Sequence, residues 1–201
     1  DENLAVKIEK KEKYILFVGR IVREKGVDIY LKAIKNLSIN FKDWKFLIIG
    51  SSKLGHKNKT LFEKDIMKMV EKLGDNVEYF GYISNERVKK IMSKGSILVI
   101  PSVWEEPFGM IAIEGLSNKM AIISSEVGGL TEIVKGKGIL IKNIDSNNLE
   151  KKLEYLLQNK EEIKKYQNLS YKNYSFNQKE VSTLQDKIRE KIYEKYNNSY
   201  E

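Results

Sequence analysis

Residues 96–118, SILVIPSVWEEPFGMIAIEGLSN, decide the fold. An apolar run ends at Pro101, a short polar loop follows, and a helical pattern begins. A buried strand turning directly into a helix is the unit from which α/β proteins are assembled. The same stretch carries two acids: Glu106 precedes the helix and Glu114 lies eight positions later, about 12 Å of rise if both belong to one helical element. Pro107 suits the first helical position, where its fixed φ fits and its missing N–H costs nothing. The N–H groups of Phe108, Gly109, Met110 and Ile111 then fall in a first turn without intrahelical partners, an arrangement that binds anions. Gly109 leaves room for a ligand to reach the backbone. An acid at a helix start is also stabilised by the macrodipole alone, so the pair by itself leaves both a structural and a ligand-binding role open.

Outward from this stretch the pattern repeats. Apolar runs at Tyr14–Gly19, Trp44–Gly50 and Val77–Gly81 precede it, separated by helical periodicity at Val27–Leu37, Leu61–Leu73 and Glu86–Met92, the last capped by Ser84 or Asn85. Downstream come the helix from about Gly109, a strand at Ala121–Ser124, a short helix at Leu130–Val134 and a strand at Gly138–Ile141. Alternation of this kind predicts an α/β fold with a doubly wound, mostly parallel sheet covered on both faces. Ligands in such sheets bind beyond the C-terminal strand ends, at the topological switch point. Here those ends carry Gly19, Gly50, Gly81 and the 101–109 loop; the glycines serve either turns or the close approach of a ligand. After Ile141 a helical tail is expected: Ser146–Gln158 behind an Asp145 cap, Lys160–Leu169, and a long polar helix from Asn177 to Tyr196. Val181, Leu184, Ile188, Ile192 and Tyr193 form one stripe on that last helix, to be covered by this domain's own core or by a second domain.

A chain of 201 residues with 41% hydrophobic content suits one domain with a proper core. No apolar stretch approaches the roughly 20 residues needed to cross a bilayer. The absence of cysteine excludes disulfides and thiolate metal sites, and a single histidine, His56, leaves little from which to build a zinc centre. No metal is expected. The net charge of +8 is read as a solvated surface ahead of a nucleic-acid site, and no nucleic-acid partner is expected. GSSKLGHK, Gly50–Lys57, falls short of a phosphate-binding P-loop because His56 takes the lysine position and no Ser or Thr follows Lys57. Ser52 likewise stands where a dinucleotide fold needs its second glycine. Leu61, Phe62, Ile66, Met69, Val70 and Leu73 form an amphipathic stripe that suits core packing before a membrane surface.

The loop VGRIVREKG places Arg20, Arg23 and Lys25 between the first strand and its helix. Arginine offers phosphate a planar fork and lysine a compact charge. A cationic loop and a helix N-terminus converging on one sheet edge suit a diphosphate.

Four blocks in order, VGRIVREKGVDIYLKAI, FGYIS, PSVWEEPFGMIAIEGLS and SSEVGGLTEIV with the G-x-L of KGKGILI, resemble the C-terminal, donor-binding domain of family 4 glycosyltransferases, which are retaining enzymes of GT-B fold. The resemblance runs from about Tyr14 to Tyr196. It implies that Arg20 and Lys25, beside Gly19, hold the donor diphosphate, assisted by the N–H groups of Gly109, Met110 and Ile111. It assigns Glu114 to the ribose hydroxyls, Glu106 with Phe108 and Gly109 to the hydroxyls of the transferred sugar, and Tyr82 and Ile83 to the border of the base. Glu106, Arg20 and Lys25 become the residues closest to catalysis. Glu105 is a rival to Glu106, but the seven-residue spacing to Glu114 favours Glu106. Gly128, Gly129 and Glu132 match a later block read as structural. Trp104 lines the sugar pocket or caps the sheet edge.

The implied substrate is a UDP-, GDP- or ADP-sugar, with no cofactor and no metal. Negative charge on the departing nucleoside diphosphate would be met by Arg20, Lys25 and the helix N-terminus. Retaining glycosidases place two carboxyl groups about 5–5.5 Å apart; Glu106 and Glu114 are read instead as positioning groups in a front-face transfer assisted by phosphate. The domain plan that follows is a lead-in (1–13) from an N-terminal acceptor-binding domain, a donor-binding domain (14–175) and a C-terminal helix (176–201) packing back towards that partner. The acceptor is a glycan, a lipid or another molecule, and the expected setting is cytoplasmic, with the full-length enzyme at the inner face of the membrane. A non-catalytic nucleotide-binding or interaction module of the same fold is the alternative, because fold does not fix function. Residues 1–201 alone are expected to bind nucleotide and transfer sugar poorly. An acceptor-glycosylation assay giving an ordinary enzymatic rate would overturn that expectation.

Overall fold

The apolar runs become the strands of one sheet. A computed structural model of the chain describes residues 10–52 and 59–172; most of the lead-in, His56 with the rest of its P-loop-like segment after Ser52, and the final helix with its stripe lie outside the described residues. The strands are β1 (Tyr14–Val18), β2 (Lys45–Ile49), β3 (Val77–Gly81), β4 (Ile97–Ile100), β5 (Ala121–Ser125) and β6 (Ile139–Ile141). They lie in the order β3-β2-β1-β4-β5-β6, every pair parallel. The helices are α1 (Val27–Asn40), α2 (Leu61–Glu71), α3 (Asn85–Lys94), α4 (Met110–Ser117), α5 (Gly128–Val134), α6 (Ser146–Gln158) and α7 (Lys160–Lys172).

Alternation along each strand sends successive side chains to opposite faces. Ile15, Phe17, Phe46, Ile48, Ile97 and Val99 pack under α1, α2 and α6. Leu16, Leu47, Leu98, Ile100 and Ile122 pack under α3, α4 and α5. Both faces are therefore apolar, which is why the strands read as continuous hydrophobic runs. The α2 stripe belongs to this packing: Ile66 is buried and Phe62, Met69, Val70 and Leu73 rest on the first face, while Leu61 alone is exposed. Side chains cap α2, α3 and α6, Ser84 and Asp145 as the sequence suggests and Thr60 without having been singled out there. Thr60 accepts from Glu63 N at 3.2 Å and Asp145 from Asn148 N at 2.8 Å; Ser84, rather than Asn85, caps α3. Helix α7 runs past Leu169 and crosses the N-terminal strand edge, where Gln167 donates to Ser96 O at 3.1 Å and Ser170 to Met120 O at 2.7 Å.

The helix expected from about Gly109 is found there, and the helical place given to Pro107 is corrected. Helix α4 begins at Met110, and its N-cap is Gly109 in the left-handed conformation, φ 68°. Pro107 lies in the preceding loop, so it does not occupy the first helical position, and Glu106 is not on the helical ladder with Glu114. The N–H groups of Phe108 and Gly109 belong to the loop; Met110 and Ile111 open the helix. Proline's φ suits a loop as well as a helix start, and the turn at Gly109 decides between them.

The described end of the lead-in is strapped beneath the sheet by Lys11. Its ammonium donates to Ser93 O at 2.9 Å and Asn118 O at 2.5 Å, carbonyls at the ends of α3 and α4, where helix dipoles favour a cation. Burial, reinforced by nearby Lys119, lowers its pKa to about 8. Above that pH the folded chain gives up the proton while the unfolded chain keeps it, so stability contributed at this site rises with pH until the ordinary lysine value of 10.5 is reached. The thermal midpoint of the native chain should accordingly gain on that of Lys11→Met between about pH 8 and 10. A constant difference across that window would remove Lys11 from the account.

Candidate functional site

Strand β1 stands between β2 and β4, so the chain leaves it in one direction and returns on its other side. A crevice opens at such a switch point, and here it is bounded by the loops that follow β1 and β4. The first loop continues the sheet edge, with Gly19 N donating to Ile49 O at 3.0 Å and Ile21 N to Ser51 O at 3.1 Å. It then tightens into a 3-10 turn at Arg23–Lys25 and closes on Gly26, φ 65°, which begins α1. Any Cβ at Gly26 would stand 1.9 Å from Pro101 O. The two loops are thus in backbone contact, and Val103 N donates to Glu24 O at 2.9 Å to fasten them.

That contact carries Lys25 to Glu106. The Lys25 ammonium donates to Glu106 Oε1, and the Ser102 hydroxyl donates to the same oxygen at 2.8 Å. The side chains are only 25% and 12% exposed, respectively; charges so withdrawn from water are tolerable when paired and hydrogen-bonded. The Glu106 main chain is held from behind by α5, where Gly129 N donates to Glu106 O at 2.7 Å and Gly128, φ 46°, leaves no room for a Cβ against the same backbone. The G-G pair of the later sequence block therefore acts as a brace, in keeping with its structural reading.

The crevice holds about 420 Å³ and brings together Gly19, Arg20, Lys25, Glu106, Phe108, Gly109, Met110 and Ile111, within the range of small-molecule sites. A second recess of about 410 Å³ shares Arg20, Lys25 and Glu106 with it and adds Glu24 and Trp104. Trp104 thus borders a cavity beside the ion pair and is largely exposed. Three nominated residues stand outside the crevice. Glu114 is exposed on α4, yet burial of its carboxyl raises its pKa, with Lys89 pulling the other way. Tyr82 and Ile83 follow β3, two strands from β1 and so about 10 Å away at ordinary strand spacing; Tyr82 is 55% exposed and Ile83 packs against the second core face.

Ser102, 1% exposed, was not nominated from the sequence. A small hydroxyl residue directly after a strand-ending proline, four positions before the acid, is the signal that marks it. Chemically, the crevice offers a guanidinium, an ammonium shared with a carboxylate, and the open N–H groups of Met110 and Ile111, an arrangement fit for an anion that also carries hydroxyls. Among the described residues no cluster of His, Asp and Glu has the makings of a metal centre.

A parallel sheet with a crevice at its switch point, lined by Arg20, Lys25 and the start of α4, defines a Rossmann-like α/β protein. The family model described as glycosyl transferases group 1 matches residues 2–176, and the chain belongs to that family. An uncharacterized glycosyltransferase of Methanocaldococcus jannaschii is 38% identical over 148 residues, 73% of this chain and 38% of that protein. Among solved structures, the C-terminal domain of a group 1 glycosyl transferase from Francisella tularensis aligns with TM-score 0.70 at 23% identity, over 85% of this chain and 90% of that domain. Anabaena HepE, solved with UDP, aligns with TM-score 0.75 at 17% identity, over 92% of this chain and 49% of that one. The chain spans between about a third and two fifths of the first curated relatives it matches.

The backbone contact between the two loops has a measurable weight. Gly26→Ala combines a left-handed φ with collision against Pro101, whereas Gly136, φ 74°, has nothing within 4 Å of a new Cβ. Urea unfolding should show Gly136→Ala costing about 1–2 kcal/mol, the left-handed penalty alone, and Gly26→Ala costing more than that.

Proposed function

We propose that this chain is the donor-binding part of a family 4 retaining glycosyltransferase, which takes a nucleoside-diphosphate sugar and passes the sugar to a glycan, lipid or other acceptor. The observation that carries the reading is the Lys25–Glu106–Ser102 contact beneath the crevice, with Arg20 and the start of α4 beside it. Membership of the group 1 glycosyl transferases supports it, as does the likeness to HepE, which was solved with UDP.

Each residue then has a task. Arg20 and Lys25 hold the diphosphate, helped by the N–H groups of Met110 and Ile111. Glu106 accepts Lys25 and Ser102 on one oxygen and turns the other to the hydroxyls of the sugar. Glu114 accepts the ribose hydroxyls, and Tyr82 and Ile83 border the base. When the bond from the anomeric carbon to the phosphate oxygen breaks, its electron pair leaves with the nucleoside diphosphate. Charge growing on that oxygen is met by fixed cations and backbone dipoles. The transfer proceeds on the front face without a metal. The acceptor is held by an N-terminal domain of the same enzyme, which works in the cytoplasm against the inner face of the membrane.

Calorimetric titration with UDP, GDP, ADP and inorganic pyrophosphate tests the reading. One nucleotide should be preferred, and Arg20→Ala should weaken both it and pyrophosphate by about tenfold or more, since a charged hydrogen bond is worth about 1.5–3 kcal/mol. Glu114→Ala should weaken the nucleotide and spare pyrophosphate. The raised pKa of Glu114 adds a pH signature: its carboxylate is lost at higher pH than an ordinary glutamate's, so nucleotide affinity should begin to fall earlier on acidification in the native chain than in Glu114→Ala. Equal binding of every ligand by all three proteins would end the proposal.

A further inference from the structure

Outside the crevice, α2 holds a carboxylate that the donor site does not use. Glu63 lies in the first turn of α2 and is 2% exposed. Its Oε2 accepts from Ser52 N at 3.0 Å and from the Ser52 hydroxyl at 2.5 Å. The Tyr79 hydroxyl stands 2.7 Å from Oε1 and 3.0 Å from Gly50 O, one proton between two acceptors, of which the carboxylate is the stronger. Burial alone would push the Glu63 carboxyl up, but these bonds, with Lys59 nearby, outweigh it and hold it below the ordinary value. The group is therefore an anion at neutral pH, enclosed among the ends of β2, β3 and α2.

The ends it ties together are the glycine-bearing strand ends. Gly50, φ 136°, leaves no space for a Cβ against Gly19 O, and Gly50 N donates to Gly81 O at 2.9 Å. Gly81, φ 65°, turns the chain directly into Tyr82 and Ile83. Tyr82 projects into solvent, so its place is set by this backbone. The cationic loop is fastened on both sides: its start meets the β2 end through Ile21 N on Ser51 O and Gly19 against Gly50, while Gly26 against Pro101, Val103 on Glu24 and Lys25 on Glu106 hold the rest of it from the β4 side. Tyr82 and Ile83 thus depend on the Glu63 network directly, whereas Lys25 has holds of its own on the β4 side.

We propose that Glu63, acting through Tyr79 and the Gly50–Gly81 bond, is a positioning residue that sets discrimination among nucleobases; this rests on the donor-site reading given above. Glu63→Gln removes the charge while keeping the shape, and Tyr79→Phe removes only the bridging hydroxyl. Val70→Ala, on the same helix and packed on the core, supplies a destabilised control remote from the network.

Each protein would be titrated calorimetrically with UDP, GDP, ADP and inorganic pyrophosphate. In Glu63→Gln and Tyr79→Phe, affinity for the preferred nucleotide should fall about fivefold or more and its margin over the next nucleotide should shrink about threefold, with pyrophosphate changed less than about twofold. Val70→Ala should keep the margin. An unaltered margin in both network variants, or a parallel loss of pyrophosphate, overturns the proposal while leaving the donor site standing. Failure of the native chain to bind any nucleotide overturns the donor-site reading and this proposal with it. Should Glu63→Gln not fold, Tyr79→Phe decides the question.

Discussion

The site depends on the contact between Gly26 and the end of β4. Without a side chain at Gly26, the loop after β1 lies directly on Pro101 O, and that proximity positions Lys25 over Glu106 and Glu24 O over Val103 N. Two loops whose interacting residues lie 81 positions apart in the chain are thereby made into one structure. The sheet order makes the contact available, because only β4 and β2 adjoin β1. The left-handed turn makes it close enough to matter.

Around this joint the molecule divides its labour. The two apolar faces of the sheet supply the stabilising burial and are indifferent to any ligand. The C-terminal strand ends carry the polar chemistry in three tiers: the cationic loop and α4 above β1 and β4, the G-G brace of α5 behind Glu106, and the Glu63 network above β2 and β3. The opposite edge is closed by Lys11, Gln167 and Ser170, which satisfy carbonyls at strand and helix ends. Buried polar groups are thus concentrated at the edges, where backbone ends need partners.

Much of the fold was legible because both faces of the sheet are covered. Continuous apolar runs such as Phe46–Ile49 and Ile97–Ile100 have few competing explanations, and the caps at Ser84 and Asp145 mark helix starts by simple chemistry. The start of α4 near Gly109 was legible, but Pro107 was misplaced because Pro-Phe-Gly satisfies two rules at once: proline at a first helical position, or glycine in a left-handed turn. The crevice residues were legible as a group, since a cationic loop and a helix start at adjacent strand ends imply convergence. Their wiring was not. Nothing local says that Lys25 meets Glu106 or that Ser102 shares the oxygen. Glu63 was invisible for a related reason: an acid in the first turn of an amphipathic helix is what the dipole favours on any surface, and only the packing of β2 and β3 against it reveals that it is enclosed.

The Lys25–Glu106 pair also means that the crevice carries its own counter-ion. A simple anion entering from solution gains Lys25 only by competing with a carboxylate already in place, on which Ser102 has a second hold. A ligand that presents a hydroxyl beside its phosphate escapes that competition, because it gives Glu106 a new donor as it draws on Lys25. On the donor-site reading, the pair favours molecules that bring both kinds of group together over anions that bring charge alone.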